Sequence, residues 1–149
     1  MRTSNKGVVQ IEAFEGTKLY PYQDTGGKWT VGTGHLMVAG DGTTPGLPIT
    51  QEKATELLKN DLVVAENAIN KENLDLTQNE FDALVSFVFN LGVGAFQRST
   101  LLKFLKQGNK EAAAKEFPKW NMVTGVVSKG LTLRRMAEQD CFSDGTYKA

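Results

Sequence analysis

The chain of 149 residues has one cysteine, four prolines and no net charge, and these scarcities exclude several classes of protein. Because Cys141 has no second cysteine to pair with, an intramolecular disulfide is impossible and no cysteine-based metal site is visible. Lys+Arg and Asp+Glu both total 17, so the overall charge indicates neither nucleic acid nor membrane as a partner. With 40% hydrophobic residues, the length predicts a single domain over residues 1–149 that buries a sizeable core.

Long apolar runs are also missing. The first six residues are polar, whereas a signal peptide needs an apolar core of about 7–15 residues near that end. No segment approaches the roughly 18 apolar residues of a membrane span. We therefore expect no stable insertion into a membrane, and we expect help in reaching any substrate that lies outside one.

The charges are unevenly distributed along the chain. Residues 95–149 carry ten Lys/Arg and five Asp/Glu, a net +5, whereas residues 1–94 carry seven against twelve, a net −5. Such an asymmetry can steer a polyanionic partner toward one end of the molecule. An ordinary solvated helical surface explains the same pattern at least as well.

Local signals predict the elements of the N-terminal third. Ser4 is a suitable N-cap for a helix that ends at Gly16. Aromatic, Thr and Val residues interrupted by two glycines predict a small antiparallel sheet over 18–36, and a surface loop follows over 40–48. Thr50 is positioned to cap one long helix that reaches about residue 70.

The remaining pattern is helical. Thr77 and Glu80 form a capping box before an apolar helix over 81–91, which belongs at the centre of a bundle. Further helices are expected from Ser99 or Thr100 to 108, from about 110 to 118, and from about 132. The last helix would place Leu133, Met136, Ala137 and Cys141 on one face.

Together these elements predict an α+β fold with a cleft between two lobes. The smaller lobe would span about 12–50 and contain the sheet, and a long helix over about 50–72 would connect it to a larger helical lobe over about 73–149. The N-terminal helix is expected to pack against this larger lobe.

Three residues near the sheet could carry acid–base chemistry. Glu15 shares a helix face with Val8 and Ile11 and lies at the helix C-terminus, and both features favour a protonated carboxyl that can act as a general acid. Asp24 lies in an exposed turn that would keep it ionised, and Thr30 follows on a strand. Two carboxyls in such different environments suit glycoside hydrolysis, although each residue alone has an ordinary structural explanation.

The combination resembles the phage lysozymes of glycoside hydrolase family twenty-four. The similarity spans nearly the whole chain and is weakest in the 40–48 loop and after residue 142. Six segments carry it: 14–16, 19–24, 27–35, 87–92, 99–102 and 130–138. The spacing of Glu15, Asp24 and Thr30 coincides with the Gly-x-Gly-His that follows them. The resemblance implies a lysozyme-like fold.

The resemblance also implies a role for each matching residue. Glu15 corresponds to the acid that protonates the β-1,4 bond between N-acetylmuramic acid and N-acetylglucosamine. Asp24 corresponds to the carboxylate that activates or holds the attacking water, and Thr30 to the hydroxyl that positions it. The positions that correspond to contacts with the sugar and peptide chains are Leu36, Phe89 and Ser99, to which the end of the central helix adds Asn90. The family usually inverts the anomeric carbon, and its chemistry needs water but no cofactor or metal.

Three further polar residues require separate interpretation. His35 has no task beside the Glu/Asp/Thr set and is expected to be buried, hydrogen-bonded and structural. Arg134 corresponds to a position near the catalytic Glu, so we expect it to orient Glu15 while bound substrate restores the acidity. Arg135 is expected to be a surface or wall-facing charge.

The resemblance therefore implies an endolysin, a muramidase with which a phage or prophage lyses its host. It would act as a monomer on bacterial peptidoglycan and stay in the host cytoplasm until a holin lesion releases it to the periplasm and wall. A lytic transglycosylase is the second possibility, although that mechanism needs no water-positioning carboxylate. A catalytically silent wall-binding module or spanin-like partner is the third.

Overall fold

The computed structural model describes residues 1–148 and contains helices with two small antiparallel sheets, so the predicted α+β class is confirmed. The first half contains α1 (Asn5–Glu15), β1 (Lys18–Gln23), β2 (Trp29–Gly32), β3 (His35–Leu36), α2 (Gln51–Asp61) and α3 (Val63–Asn70). The second half contains α4 (Gln78–Leu91), α5 (Val93–Arg98), α6 (Thr100–Lys106), α7 (Lys110–Ala114), a 3₁₀ turn (Phe117–Lys119), β4 (Met122–Val123), β5 (Val126–Val127) and α8 (Lys129–Asp144). The predicted division into two lobes stays a prediction.

Helix α4 lies at the centre of the core. Thr77 and Glu80 form the predicted capping box, in which the Thr77 N–H donates to Glu80 Oε1 at 2.8 Å. Every residue from 80 to 88 is buried, because α1, α3, α5 and α8 all pack around this helix. Such burial on all sides matches the expectation from its apolar composition.

Helix α1 is short and tightly docked. Ser4 caps it as predicted, with Oγ accepting from the Gly7 N–H at 3.1 Å. A Cβ placed on Gly7 would lie 2.7 Å from Asp82 Cγ, so glycine permits α1 to approach α4 this closely. Gly16 ends the helix with φ +75°, a conformation that glycine adopts without strain, and the chain turns into β1.

The three-stranded sheet follows the prediction for residues 18–36. Strand β2 lies between β1 and β3, with Tyr22 opposite Thr30 and Thr30 opposite Leu36. The residues from 40 to 48 form a mostly exposed loop, also as predicted.

The predicted single long helix after Thr50 is wrong in detail, because it divides into α2 and α3 at Leu62. Leu62 has φ −72° and ψ −15°, close to the 3₁₀ range, although its N–H still reaches the Leu58 carbonyl. The β-branched pair Val63 and Val64 follows at once, and such residues lower helix propensity.

The predicted apolar face of the last helix is confirmed for Ala137 and Cys141, which are buried, and wrong for Leu133 and Met136. Helix α8 begins at Lys129, capped by Ser128, and both Leu133 and Met136 are at least half exposed. The face that packs on α4 is instead polar in its first half, with Arg134, Arg135 and Glu138 all buried. The periodicity of apolar residues did not identify the buried face, because Arg134 and Arg135 are buried together with their partner Glu138. Hydropathy alone does not reveal such pairing.

Two elements have no counterpart in the prediction. Helix α5 follows Gly92, and the β4–β5 hairpin turns through Thr124 and Gly125, both at positive φ. Four side chains of that hairpin are more than half exposed: Met122, Val123, Val126 and Val127.

The segment after α8 docks on the first helices. The Tyr147 hydroxyl donates to Asp82 Oδ2 at 2.6 Å, and the Lys148 N–H donates to Gln10 Oε1 at 2.6 Å. Asp82 is fully buried and also accepts from the Ser4 N–H at 3.0 Å and from Gln78 Nε2 at 2.8 Å. One carboxylate therefore joins both ends of the described chain to α4.

Candidate active site

Glu15 is the last residue of α1, and its side chain is 26% exposed. Arg134 Nη1 donates to Glu15 Oε2 at 2.5 Å. The same guanidinium lies over the Phe14 ring, 5.0 Å from its centroid. The expected partial burial of Glu15 and its predicted contact with Arg134 are both confirmed.

Asp24 lies in the turn between β1 and β2 and is exposed, as predicted. Its Oδ1 accepts from the backbone N–H groups of Gly26 and Lys28, both at 2.9 Å. The Asp24 N–H in turn donates to the Lys28 carbonyl at 2.9 Å, which closes the hairpin. The carboxylate is thus held by its own turn in a defined orientation.

Thr30 lies on β2 and is 6% exposed, and its hydroxyl donates to the Lys28 carbonyl at 3.1 Å. Because directly opposed residues in an antiparallel pair project from the same face, Thr30 shares a face with Tyr22 and Leu36. Leu36 is 48% exposed there. Asp24 follows the last residue of β1 and lies in the turn at the end of this strand pair.

The Arg134 guanidinium is held by hydrogen bonds to groups on α4 and α8. Its Nη2 donates to the Ser86 carbonyl at 3.2 Å, and its Nε donates to Glu138 Oε2 at 3.3 Å. Its side chain is only 8% exposed. The guanidinium that contacts Glu15 is therefore fixed in place by α4 and by the next turn of α8.

Arg135 is fully buried, so its predicted place at the surface is wrong. Its Nε lies 3.0 Å from Glu138 Oε1, its Nη2 donates to Asn90 Oδ1 at 2.6 Å, and its guanidinium lies 5.3 Å from the Phe87 ring centroid. Burial lowers the pKa of Arg135 and raises the pKa of Glu138 above its usual value, although both arginines oppose the latter shift.

His35 is buried and hydrogen-bonded, as predicted. Its Nδ1 lies 2.8 Å from Asp61 Oδ2, and its Nε2 lies 2.8 Å from Asp41 Oδ2. Burial lowers the pKa of His35, but the two carboxylates outweigh burial and leave it above its ordinary value. Burial likewise raises the pKa of Asp41, yet hydrogen bonds from Thr43, Val38 and His35 hold it well below the usual range.

The other predicted binding residues have different surroundings. Phe89 is half-buried against the core, whereas Asn90 is exposed and accepts from Arg135. Ser99 is buried, and its hydroxyl donates to the Phe96 carbonyl at 2.7 Å and accepts from the Leu102 N–H at 3.1 Å. Contact of these residues with a ligand stays a prediction.

Sequence reasoning missed Ser86 and Glu138. The Ser86 hydroxyl donates to Glu138 Oε2 at 2.5 Å, and both residues are fully buried. A glutamate four residues after Arg134 lies on the same helix face, so that spacing was the available signal. Within residues 1–148, no group of three or more His, Cys, Asp or Glu could hold a metal ion, and no helix is long and apolar enough to cross a membrane.

Comparison with known proteins shows the family. Residues 12–138 match the family described as phage lysozyme, a span that includes Glu15, Asp24, Thr30 and Arg134. The chain belongs to the phage lysozyme family. A crystal structure of a lysozyme mutant from Salmonella phage P22 is 38% identical with a TM-score of 0.86, covering 95% of this chain and 98% of that one. The predicted lysozyme-like fold is therefore confirmed.

Two further phage lysozyme relatives are named endolysins. The one from Bacillus phage PZA is 41% identical over 151 residues, which covers 99% of this chain. This chain spans only 57% of the length of that relative. The structure from Escherichia coli O157:H7 phage FAHEc1 is 40% identical with a TM-score of 0.89, covering 100% of this chain and 98% of that one.

Proposed function

We propose that this chain is an endolysin muramidase that hydrolyses the β-1,4 bond between N-acetylmuramic acid and N-acetylglucosamine in bacterial peptidoglycan. The observation that carries the proposal is the contact of Glu15 with Arg134 at the end of α1, which leads directly into the sheet. That sheet presents Thr30 and Leu36 on one face and carries Asp24 in the turn between β1 and β2. Membership of the phage lysozyme family supports it.

In this mechanism Glu15 donates a proton to the leaving oxygen of the glycosidic bond. A carboxyl at a helix end with a 26% exposed side chain can reach a substrate while packing limits its rotation. Arg134 orients it, and substrate that covers the site reduces the contact of the pair with water.

Asp24 holds the attacking water through the carboxylate that its turn fixes. Two backbone N–H groups donate to Oδ1 and hold the carboxylate in one orientation. The Thr30 hydroxyl, on strand β2 after that turn, positions the water. The hydrolysis needs water and no cofactor or metal.

Leu36, Phe89, Asn90 and Ser99 are proposed to line the path of the sugar and peptide chains. We further propose that the protein works as a monomer, does not bind nucleic acid, and stays in the host cytoplasm until a holin opens the way to the periplasm and wall. Host lysis by a phage or prophage is the corresponding biological role.

The test is clearing of purified Gram-negative peptidoglycan, stripped of outer membrane, by wild type and by Glu15→Gln. Gln retains the size and hydrogen bonding of Glu but cannot donate an acidic proton. Clearing by wild type and its loss in a folded variant are expected. Equal clearing by both would remove Glu15 from the mechanism, and binding without clearing would support a wall-binding module instead.

Product analysis separates hydrolysis from transglycosylation. A muramidase that uses water leaves a reducing end, whereas a lytic transglycosylase leaves a 1,6-anhydro ring. Asp24→Asn provides the matched variant, since it keeps the shape of the turn residue but weakens the hold on water. The muramidase proposal requires reducing ends from wild type and strongly reduced turnover in Asp24→Asn.

A further inference from the structure

We propose that Glu138 is a positioning residue for Glu15, acting through Arg134, and that it offsets the positive charge that Arg134 directs at the Glu15 carboxyl. The inference rests on the proposed function in one respect, the role of Glu15 as the general acid. It concerns a fully buried side chain that does not reach the surface.

The geometry joins the two carboxylates through one guanidinium. Arg134 donates from Nη1 to Glu15 Oε2 at 2.5 Å and from Nε to Glu138 Oε2 at 3.3 Å. Glu15 is partly accessible, whereas Glu138 is sealed from solvent. Arg134 therefore bridges the reacting carboxyl and a buried counter-charge.

Glu138 is itself held firmly. The Ser86 hydroxyl donates to its Oε2 at 2.5 Å, and Arg135 Nη2 reaches the same oxygen at 3.4 Å. Arg135 Nε lies 3.0 Å from its Oε1. These contacts come from α4 and from Arg135 on α8, so Glu138 has little freedom to follow Arg134 if Arg134 moves.

The positive charges of Arg134 and Arg135 near Glu15 explain why a buried carboxylate at Glu138 matters for the site. An arginine in contact with Glu15 favours the carboxylate, yet a general acid must hold a proton before it reacts. Arg134 and Arg135 together place two permanent positive charges below Glu15, because arginine does not lose its proton in proteins. Glu138 is the negative group packed between them, and it weakens their combined field at Glu15.

The polar groups that contact Arg134 and Glu138 come from two helices, and the Phe14 ring of α1 adds an uncharged contact to Arg134. Helix α8 supplies Arg134, Arg135 and Glu138, and it also carries Cys141, whose thiol pKa burial raises to about 11. Helix α4 supplies only uncharged groups to this network, those of Ser86 and Asn90. Replacing Glu138 by glutamine therefore exposes Glu15 to the uncompensated field of two arginines.

The experiment compares wild type, Glu138→Gln and Ser86→Ala in two ways. The first is the titration of the Glu15 carboxyl, followed by NMR of protein labelled with ¹³C at glutamate and assigned with Glu15→Gln. The second is kcat and KM against pH on soluble peptidoglycan fragments. Glu66→Gln is the matched control, because Glu66 is 3% exposed, pairs with Arg2 and lies on α3.

We expect Glu138→Gln to move the titration of Glu15, and with it the alkaline limb of kcat, to lower pH, because the two arginines then act on Glu15 without their buried counter-charge. KM should stay within about twofold of wild type, because no substrate contact is removed. Ser86→Ala should move both in the same direction by less, since it removes one donor to Glu138. Glu66→Gln should lower stability without moving either.

A double variant tests the route of the effect. If Glu138 positions Glu15 through Arg134, Glu138→Gln should lower kcat much less when Arg134→Gln is already present. A Glu15 titration that is unchanged in folded Glu138→Gln would overturn the proposal, and if that variant does not fold, an unchanged titration in Ser86→Ala would do so. Absence of cleavage by wild type would count against the proposed function only, because the titration does not depend on turnover.

Discussion

Glu15 and Arg134 are 119 positions apart in the chain, and the Arg134 guanidinium nevertheless donates to the Glu15 carboxylate at 2.5 Å. The contact exists because α1 and α8 both pack against α4. The position of the Glu15 carboxyl therefore depends on both α1 and α8, although the sheet follows Glu15 directly in the sequence.

Arg134→Gln should lower kcat by roughly 100-fold, because misplacing a reacting group by about 1 Å has an effect of that order. The variant also leaves Glu138 buried without one of its two arginines, so stability should fall by about 3–5 kcal/mol. Arg134→Lys is the control that retains the charge but not the forked geometry. Kinetics with thermal unfolding measure both effects, and a variant with wild-type kcat would show that Arg134 does not orient Glu15.

Asn90→Ala should lower the free energy of unfolding by about 1.5–3 kcal/mol, because it removes an acceptor from the buried Arg135 guanidinium. If Asn90 contacted only substrate, Asn90→Ala would raise KM and leave the free energy of unfolding unchanged. Denaturant unfolding together with KM separates the two roles. Asn67→Ala, at another exposed helical position, is the comparison for the loss of an asparagine side chain.

His35 should make stability depend on pH in a specific window. Its raised pKa means that its ion pairs contribute fully below the unfolded value of about 6.5 and are lost as pH rises through the folded value. Asp41, whose pKa is lowered, contributes above about pH 4 and loses that contribution as pH falls through its folded value.

The measurement is the unfolding midpoint of wild type and His35→Gln over a pH series. The difference should be largest between about pH 4.5 and 6.5 and should shrink on the alkaline side. A constant difference at every pH would mean that His35 contributes through packing alone.

Asp82→Asn should destabilise the protein by about 1.5–3 kcal/mol, because an amide cannot accept all the hydrogen bonds that this carboxylate accepts. Tyr147→Phe removes a single one of these bonds and should cost about 1 kcal/mol. Proteolysis near the C-terminus should be faster in both variants. If Asp82→Asn unfolds at the wild-type denaturant concentration, Asp82 does not hold the tail.

Sequence patterns predicted the elements whose signals are local. The capping box of Thr77 and Glu80 and the glycine stop at Gly16 act within four residues, so no knowledge of the rest of the fold was needed. The elements that carry Glu15, Asp24 and Thr30 were predictable for the same reason, whereas the catalytic roles of these residues came from the family resemblance and stay predictions.

The misassigned face of α8 shows the limit of such patterns. Arg134, Arg135 and Glu138 would each be costly to bury alone, and only their contacts with one another and with α4 make burial possible. Those contacts join residues as far apart as Ser86 and Glu138. Leu133 and Met136 are consequently displaced to the outer side of the helix.

Because Ser4 and Tyr147 both donate hydrogen bonds to Asp82, the first and last described segments of the chain lie close together in space. A short linker could join the two ends, and new ends could then be opened in the exposed 40–48 loop without cutting a helix or a strand. In that rearranged protein Glu15 and Arg134 would be separated by only a few tens of residues, and α1 would be the last helix to emerge during synthesis instead of the first.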